Sequence, residues 1–360
     1  MDHETRRGHA LATLLVRRRR VIVAAALGLA AWPVVRAQTD AATPSSASPP
    51  PASPTTLNVI AFAGGWNLPL WVGQREGLFA REGVAVQLAF TPNSGALVRG
   101  LMEGRHDIAL ASIDNLVAYQ EGQGDGPPLQ DPDLVAVMGV DRGFLSVVAQ
   151  PQIRAMADLR GKTLSVDSLN TGFAFVLREL LRTNGIAESE VKLVRGGATE
   201  LRFQALVAGS VDATLLRTPF EILAAERGLS VLASADTLGP YLGTSGFVRR
   251  SWARSHEAAL VGFLRGYRSA MQWLGEPSHR AGAERILIEQ IRDMTPTLAA
   301  RAAATLLAAD GGLLRDLAID PAGLRTVLEL RRRYGQPAKA LGDIDRYVDL
   351  SYRAKALAAR

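Results

Sequence analysis

Val86–Leu116 reads VQLAFTPNSGALVRGLMEGRHDIALASIDNL, and a shift of 105 positions lays it without a gap on Val191–Glu221, VKLVRGGATELRFQALVAGSVDATLLRTPFE. Six of the 31 positions are identical: Val86/Val191, Leu88/Leu193, Leu101/Leu206, Gly104/Gly209, Asp107/Asp212 and Leu110/Leu215. The pattern also changes character in the same places. Strand-like residues give way to a polar or Gly-rich turn, a helix with apolar spacing, G-x-x-D and an apolar run. That is a β–loop–α–turn–β unit, which makes parallel strands. Two copies predict two similar α/β lobes, and such proteins hold ligands between lobes.

Around this pair the chain alternates strands and helices. Leu57–Phe62 predicts the first strand, Pro69–Phe79 a helix and Val84–Phe90 the next strand. Strands are expected at Leu134–Val140, Phe144–Ala149, Thr163–Val166 and Leu229–Ala233, with a helix at Phe173–Arg182. Asp141-Arg142-Gly143 and Gly239–Gly246 are the expected crossings into and out of the second lobe. From Ser251 onward helices are predicted at Glu257–Trp273, Arg280–Asp293, Pro296–Leu307, Pro321–Arg333 and Asp345–Ala358, each near a Ser, Thr, Asp or Pro start signal. Arg331-Arg332-Arg333 is expected on a solvated face. The resulting division is lobe 1 over 57–141 and 240–360, and lobe 2 over 142–239.

Before the folded part, Arg17-Arg18-Arg19-Arg20 precedes VIVAAALGLAAW, then Val35-Arg36-Ala37. A basic stretch, a short apolar core and a small residue predict a secretory signal over residues 1–37, cleaved after Ala37, with a retained anchor as the alternative. Residues 38–56 are rich in Ala, Ser, Thr and Pro and read as a disordered spacer. Together these predict an exported protein.

The chain's net charge of +6 and pI near 9.9 come largely from the leader. Residues 1–37 hold seven Lys/Arg and two Asp/Glu, leaving 34 basic against 33 acidic residues. A nucleic-acid partner therefore has no electrostatic support. With no cysteine, disulfides, thiol catalysis and Cys-based metal sites are excluded. His106, His256 and His279 stand apart without metal-ligand spacing, so neither a metal nor a cofactor is expected. GQGDG at 122–126 is followed by two prolines rather than a helix, so it is not a phosphate loop.

Ligands in open α/β sheets sit outside the carboxyl ends of the strands. Those ends here are Gly64–Asn67, Thr91–Gly95, Ser112–Asn115, Ser168–Gly172, Gly196–Thr199 and Arg217–Phe220. Free N–H groups and the dipole at helix starts suit an anion. Candidate ligand residues are Gly65, Trp66, Asn67, Asn93, Ser94 and Ser112 from the first lobe, together with Asp114. From the second lobe they are Ser168, Asn170, Thr171, Gly197 and Arg217. Asn93/Ser94 and Ser168/Asn170/Thr171 serve equally as helix caps. Trp66 either stacks on a ligand or plugs a lobe edge, and its place after the first strand favours the cleft. Arg217, at the end of a buried strand, either grips an acid group in two-point fashion or pairs with Glu221 or Asp114. Asp107 and Asp212, matched in both copies, read as structural turn residues.

WVGQREGLFAREGVAVQL (71–88), GLMEGRHDIALAS (100–112), ADLRGKTLSVDS (157–168) and ALVAGSVDATLLRTPFE (205–221) resemble, in this order, periplasmic substrate-binding proteins of ABC importers. The similarity is greatest to the nitrate/sulfonate/taurine and thiamine-precursor binding proteins, over about residues 57–360. The resemblance implies a two-lobed periplasmic-binding-protein fold with two crossovers, which captures a small, anionic organic solute by hinge closure. It also implies a monomer with a membrane permease and ATPase as partners, and no enzymatic activity. The alternatives are a ligand sensor, or a same-fold enzyme of thiamine-pyrimidine synthesis. The enzymes of that group look to need a histidine and a cysteine-rich segment, and this chain has no cysteine and no histidine at a strand-end loop.

Overall fold

A computed structural model describes residues 53–358; the expected leader and nearly all of the spacer lie outside the described residues. The strands are β1 (Thr55–Ala61), β2 (Val84–Phe90), β3 (Ile108–Ser112), β4 (Leu134–Gly139), β5 (Leu145–Ala149), β6 (Thr163–Val166), β7 (Lys192–Arg195), β8 (Ala213–Arg217), β9 (Ser230–Ser234) and β10 (Thr244–Arg249). The helices in the first two-thirds are α1 (Leu68–Arg75), α2 (Ser94–Met102), α3 (Ile113–Gln120), α4 (Gly172–Thr183), α5 (Thr199–Val207) and α6 (Phe220–Glu226). They are followed by α7 (Arg250–Ser255), α8 (Glu257–Gly275), α9 (Arg280–Gln290), α10 (Pro296–Leu306), α11 (Pro321–Tyr334) and α12 (Ser351–Leu357).

Two five-stranded sheets result, ordered β2-β1-β3-β10-β4 and β7-β6-β8-β5-β9. In each, three strands are parallel and the fourth position runs antiparallel to both its neighbours. The antiparallel strand is the one that arrives from the other sheet: β4 leads to β5, and β9 leads back to β10. Two lobes joined by two crossings follow directly from this order.

The repeat is structural. α2 and α5, and β3 and β8, start and end 105 residues apart. Asp107 Oδ2 accepts the Asn58 N–H at 2.8 Å, and Asp212 Oδ2 accepts the Thr163 N–H at 2.8 Å. Each aspartate N–H returns a bond to the carbonyl of the same residue, at 2.8 and 2.9 Å. The carboxylates thus tie the G-x-x-D turn to the neighbouring strand. Gly104 and Gly209 lie at φ +75° and +71° just past the paired helices, a left-handed position that a side chain would strain.

The sequence expectations differ from the fold in several places: the helix expected over Pro69–Phe79 ends at Arg75, and α7 precedes the first expected C-terminal helix. β1 begins at Thr55, two residues inside the expected spacer. The segment read as a return, Gly239–Gly246, is already strand from Thr244, because β10 is inserted between β3 and β4 and buried on both faces. Burial on both faces removes the alternation that marks a strand. Asp345–Ala358 is a 3-10 turn (Ile344–Arg346) and the short α12 rather than one helix. Arg331 is not solvated but fully buried against Asp114.

Apolar residues form two clusters, one on each side of the pair of sheets, and each draws on both lobes. One unites Trp71, Phe263 and Leu298 with Phe203, Phe220 and Leu223. The other unites Leu97, Leu116 and Val327 with Phe175, Leu177 and Leu180. α10 packs on α6, and α11 packs on both α3 and α4. The C-terminal helices therefore brace the lobes on both sides of the cleft.

Candidate functional site

β3 and β8, the matched strands, end at Ser112 and Arg217, and both ends face the space between the sheets. Arg217 is 2% exposed. Its Nη2 donates to Asp141 Oδ2 at 2.8 Å and to Thr244 Oγ1 at 3.2 Å, and its Nε donates to the Gly143 carbonyl at 2.7 Å. Asp141 Oδ1 in turn accepts the N–H of Gly143 at 2.8 Å and of Thr244 at 3.1 Å. Asp141 and Gly143 lie in the first crossing and Thr244 opens β10 after the second. One ion pair therefore fastens the end of β8 to both crossings. The ion-pair partner is Asp141, not Glu221 or Asp114. Trp66 stacks on the Arg217 guanidinium, 3.9 Å from centroid to Cζ, with Phe173 at 5.4 Å. The indole face expected for a ligand is thus covered by this arginine, which desolvates and orients it.

Beside this node is an inner chamber lined by Phe62, Trp66, Ser112, Asn115, Asp167, Thr171, Phe173, Thr199, Arg202 and Arg217. It is tight, a cavity of about 20 Å³, room for one ordered water. Arg202 is 1% exposed, and its bonds run to neutral acceptors: the carbonyls of Gly197 (3.1 Å) and Leu215 (2.7 Å) and Thr199 Oγ1 (3.1 Å). No carboxylate reaches it within ion-pair distance among the described residues. A buried guanidinium without a bonded anion is costly. Asp167, on the chamber wall, is the nearest compensating charge. Burial raises its carboxyl above the usual range, and Arg202 acts in the opposite direction. Asp167 Oδ1 accepts from Thr171 Oγ1 at 2.7 Å. The Ser112 hydroxyl is buried with only the buried Tyr241 hydroxyl beside it, and the Asn115 side-chain amide makes no hydrogen bond among the described residues. Unmet polar groups of this kind are what a solute or water satisfies.

The α3/α4/α11 side of the cleft is closed by a polar seam. Asp114 accepts two bonds from Arg331, both at 2.6 Å, and the Gly172 N–H at the start of α4, also at 2.6 Å. The free N–H expected to greet a ligand there meets this carboxylate instead, and Asp114 does not present itself to a solute. Asn170 donates to the carbonyls of Gln123 and Gln336, and Ser168 donates to Asp125 Oδ1 at 2.8 Å. Further along, Glu179 on α4 accepts from Arg333 and Tyr334 of α11.

Of the sequence-predicted residues, Trp66, Ser112, Thr171 and Arg217 come together around the inner chamber. The rest do other things. Asn93 caps α2 through the Ala96 N–H at 2.8 Å, and Ser94 Oγ lies 3.5 Å from the Tyr119 hydroxyl. Asn67 bonds the carbonyls of Phe62 and Gly64. Gly65 packs against Leu306 and Thr218, and Gly197 sits near Pro92 across the cleft. Asn115 and Thr199 fall in the expected strand-end loops but were not singled out, and sequence reasoning missed Asp167 and Arg202. For Arg202 a signal existed: in the repeat it replaces Leu97, a fully buried core residue. A charge at a position whose twin is core points to a site.

The fold has solved counterparts. The alkanesulfonate-binding protein SsuA from Xanthomonas axonopodis pv. citri, solved with MOPS bound, is 18% identical with a TM-score of 0.64, over 79% of this chain and 93% of that one. The periplasmic nitrate-binding protein NrtA from Synechocystis PCC 6803 is 14% identical with a TM-score of 0.70, over 84% and 88%. The periplasmic aliphatic sulphonate binding protein SsuA from Escherichia coli is 16% identical with a TM-score of 0.63, over 84% and 100%. These similarities establish the periplasmic-binding-protein fold. No curated protein sequence matches the chain. Residues 67–279, more than half the chain, match the family described as NMT1/THI5 like. That span runs from the Trp66 loop through both repeat copies and both crossings to α8, so the chain belongs to the NMT1/THI5-like family.

Proposed function

We propose that this protein is the solute-binding component of an ABC importer, which captures a small organic anion between its lobes and delivers it to a membrane permease. The observation that carries this reading is Arg202: a buried guanidinium bonded only to neutral acceptors, in a chamber also lined by the Ser112 hydroxyl and the Asn115 amide. An acid group of the solute would complete its coordination with charge-assisted bonds. Asp167 opposite it suits a solute that also carries a hydrogen-bond donor. Because the inner chamber holds about one water, the lobes must part to admit a solute, and the two crossings are where the backbone can turn. Arg217 serves this motion as the fixed hinge node rather than as the acid's anchor. The basic leader and the fold of the similar structures support export to the periplasm.

A thermal-shift screen of the chain from Gln38 against small sulfonates, carboxylates, nitrate and pyrimidines tests the reading. Binding to the folded state raises Tm by mass action, about 2.7 kcal/mol of stabilisation at one hundred times Kd. A shift with one acid class supports capture. A shift confined to neutral pyrimidines would contradict the anion assignment.

A further inference from the structure

The cleft has a second, roomier chamber on the side opposite the polar seam. It is a cavity of about 400 Å³ with walls from both lobes, against about 20 Å³ for the inner one. Trp71 of α1 and Phe90 at the end of β2 face Phe203 and Val207 of α5 and Phe220 of α6 across it. Phe90 and Val207 are 47% and 45% exposed, unusual for large apolar residues in a concave wall. The two chambers are built from the same two pieces of chain. Thr199 and Arg202, three apart on α5, line the inner one; Phe203 and Val207, four apart, line the outer one. Phe62 and Trp66 face inward from the loop after β1, and Ala63 and Gly64 face outward. At the outer rim Arg227, just after α6, meets Asp293 beyond α9 at 2.9 Å, with side chains 34% and 54% exposed. Such a pair is worth little, so it opens readily. The opposite side, closed by Asp114, Arg331 and Glu179, offers no comparable entrance among the described residues.

We propose that the outer chamber is part of the solute site and selects an aromatic acid, its ring held between Trp71, Phe90 and Phe203 and its acid group directed past the 62–66 loop to Arg202. This deepens the solute-capture reading and rests on it. Rings stack or meet edge-on against aromatic walls more favourably than their area alone provides. A cavity of this size accepts a benzene ring, which an inorganic anion would leave unfilled.

Calorimetric titration of the protein with benzoate and benzenesulfonate, beside acetate and methanesulfonate, tests the proposal. The aromatic acids should bind at least tenfold more tightly than their methyl counterparts. Val207→Trp, which fills the chamber from an exposed position, should remove that advantage. If that variant misfolds, Gln204→Trp fills the same wall. Equal binding of aromatic and methyl acids overturns the chamber assignment while leaving solute capture intact, and so does an advantage that survives the plug. Binding of none of the four acids overturns it as well; a thermal shift with another solute class would then still support capture.

Discussion

Replacing Arg217 by methionine keeps most of the side-chain volume and removes the guanidinium. Asp141, fully buried, would keep its two backbone N–H bonds but lose the Nη2 contact at 2.8 Å. The Gly143 carbonyl and Thr244 hydroxyl would each lose a donor, and Trp66 the cation on its face. Breaking a buried pair by removing one partner costs about 3–5 kcal/mol, chiefly the uncompensated charge left behind. For a protein of this size that lowers Tm by roughly 6–15 °C. Asp141→Asn should cost a similar amount, since it leaves the arginine unmatched. The double variant should cost less than the sum by about 2–3 kcal/mol, because neither charge then remains alone. Urea unfolding followed by fluorescence and by circular dichroism measures these values and checks that the transitions coincide. Single-variant costs below about 1 kcal/mol, or strict additivity, would refute the hinge-node account. Unchanged stability with solute binding weakened by about 1.5–3 kcal/mol would return Arg217 to the role its strand-end position suggests.

Three further outcomes are expected. Glu221, pushed up to about 7 by burial despite the Thr218 hydroxyl at 2.6 Å, favours its protonated form in the folded state. Stability from this group is complete below about pH 4.5 and falls as pH rises toward 7, so Glu221→Gln should gain about 2–3 kcal/mol at pH 8 and nothing at pH 4. Equal effects at both pH values would contradict this. Glu179 is held at about 2, first by its bond to Arg182 and then by Tyr334 and Arg333, against the opposing effect of burial. Its folded value lies below the unfolded one, so its contribution is present above about pH 4.5 and lost as pH falls toward 2. Glu179→Gln should flatten the acid limb of a denaturation profile, and an unchanged limb would count against the α4–α11 tie. Asp107→Ala and Asp212→Ala should each cost about 1–2 kcal/mol, since each frees one strand N–H. A large cost for one and none for the other would break the equivalence of the two copies.

Much of the architecture was legible because the repeat fixes periodicity twice. The 105-residue offset holds for Asn58 and Thr163, for α2 and α5 and for β3 and β8, so one copy's pattern checks the other's. β10 was not legible as a strand, because a segment buried on both faces with Gly246 in its middle carries no alternation. The site was legible as a set of loops but not as a set of contacts. Trp66, Ser112, Thr171 and Arg217 reach the inner chamber as their strand ends suggest. What local pattern cannot reveal is pairing over distance: Asp114 is claimed by Arg331, 217 residues away, and Arg217 by Asp141, 76 residues earlier. Arg202 was readable only by setting the copies side by side, where leucine in one becomes arginine in the other.

That substitution supplies the most direct test. Arg202→Leu restores the residue that the first copy buries at this position, so the helix should fold. Calorimetric titration of wild type and variant with the acid that gives the largest thermal shift measures what the guanidinium contributes. The account predicts a loss of about 1.5–3 kcal/mol in binding, roughly tenfold to a hundredfold in Kd, with the variant still folded. An unchanged Kd in a folded variant would show that the solute does not rest on Arg202, and the account of the cleft would fail.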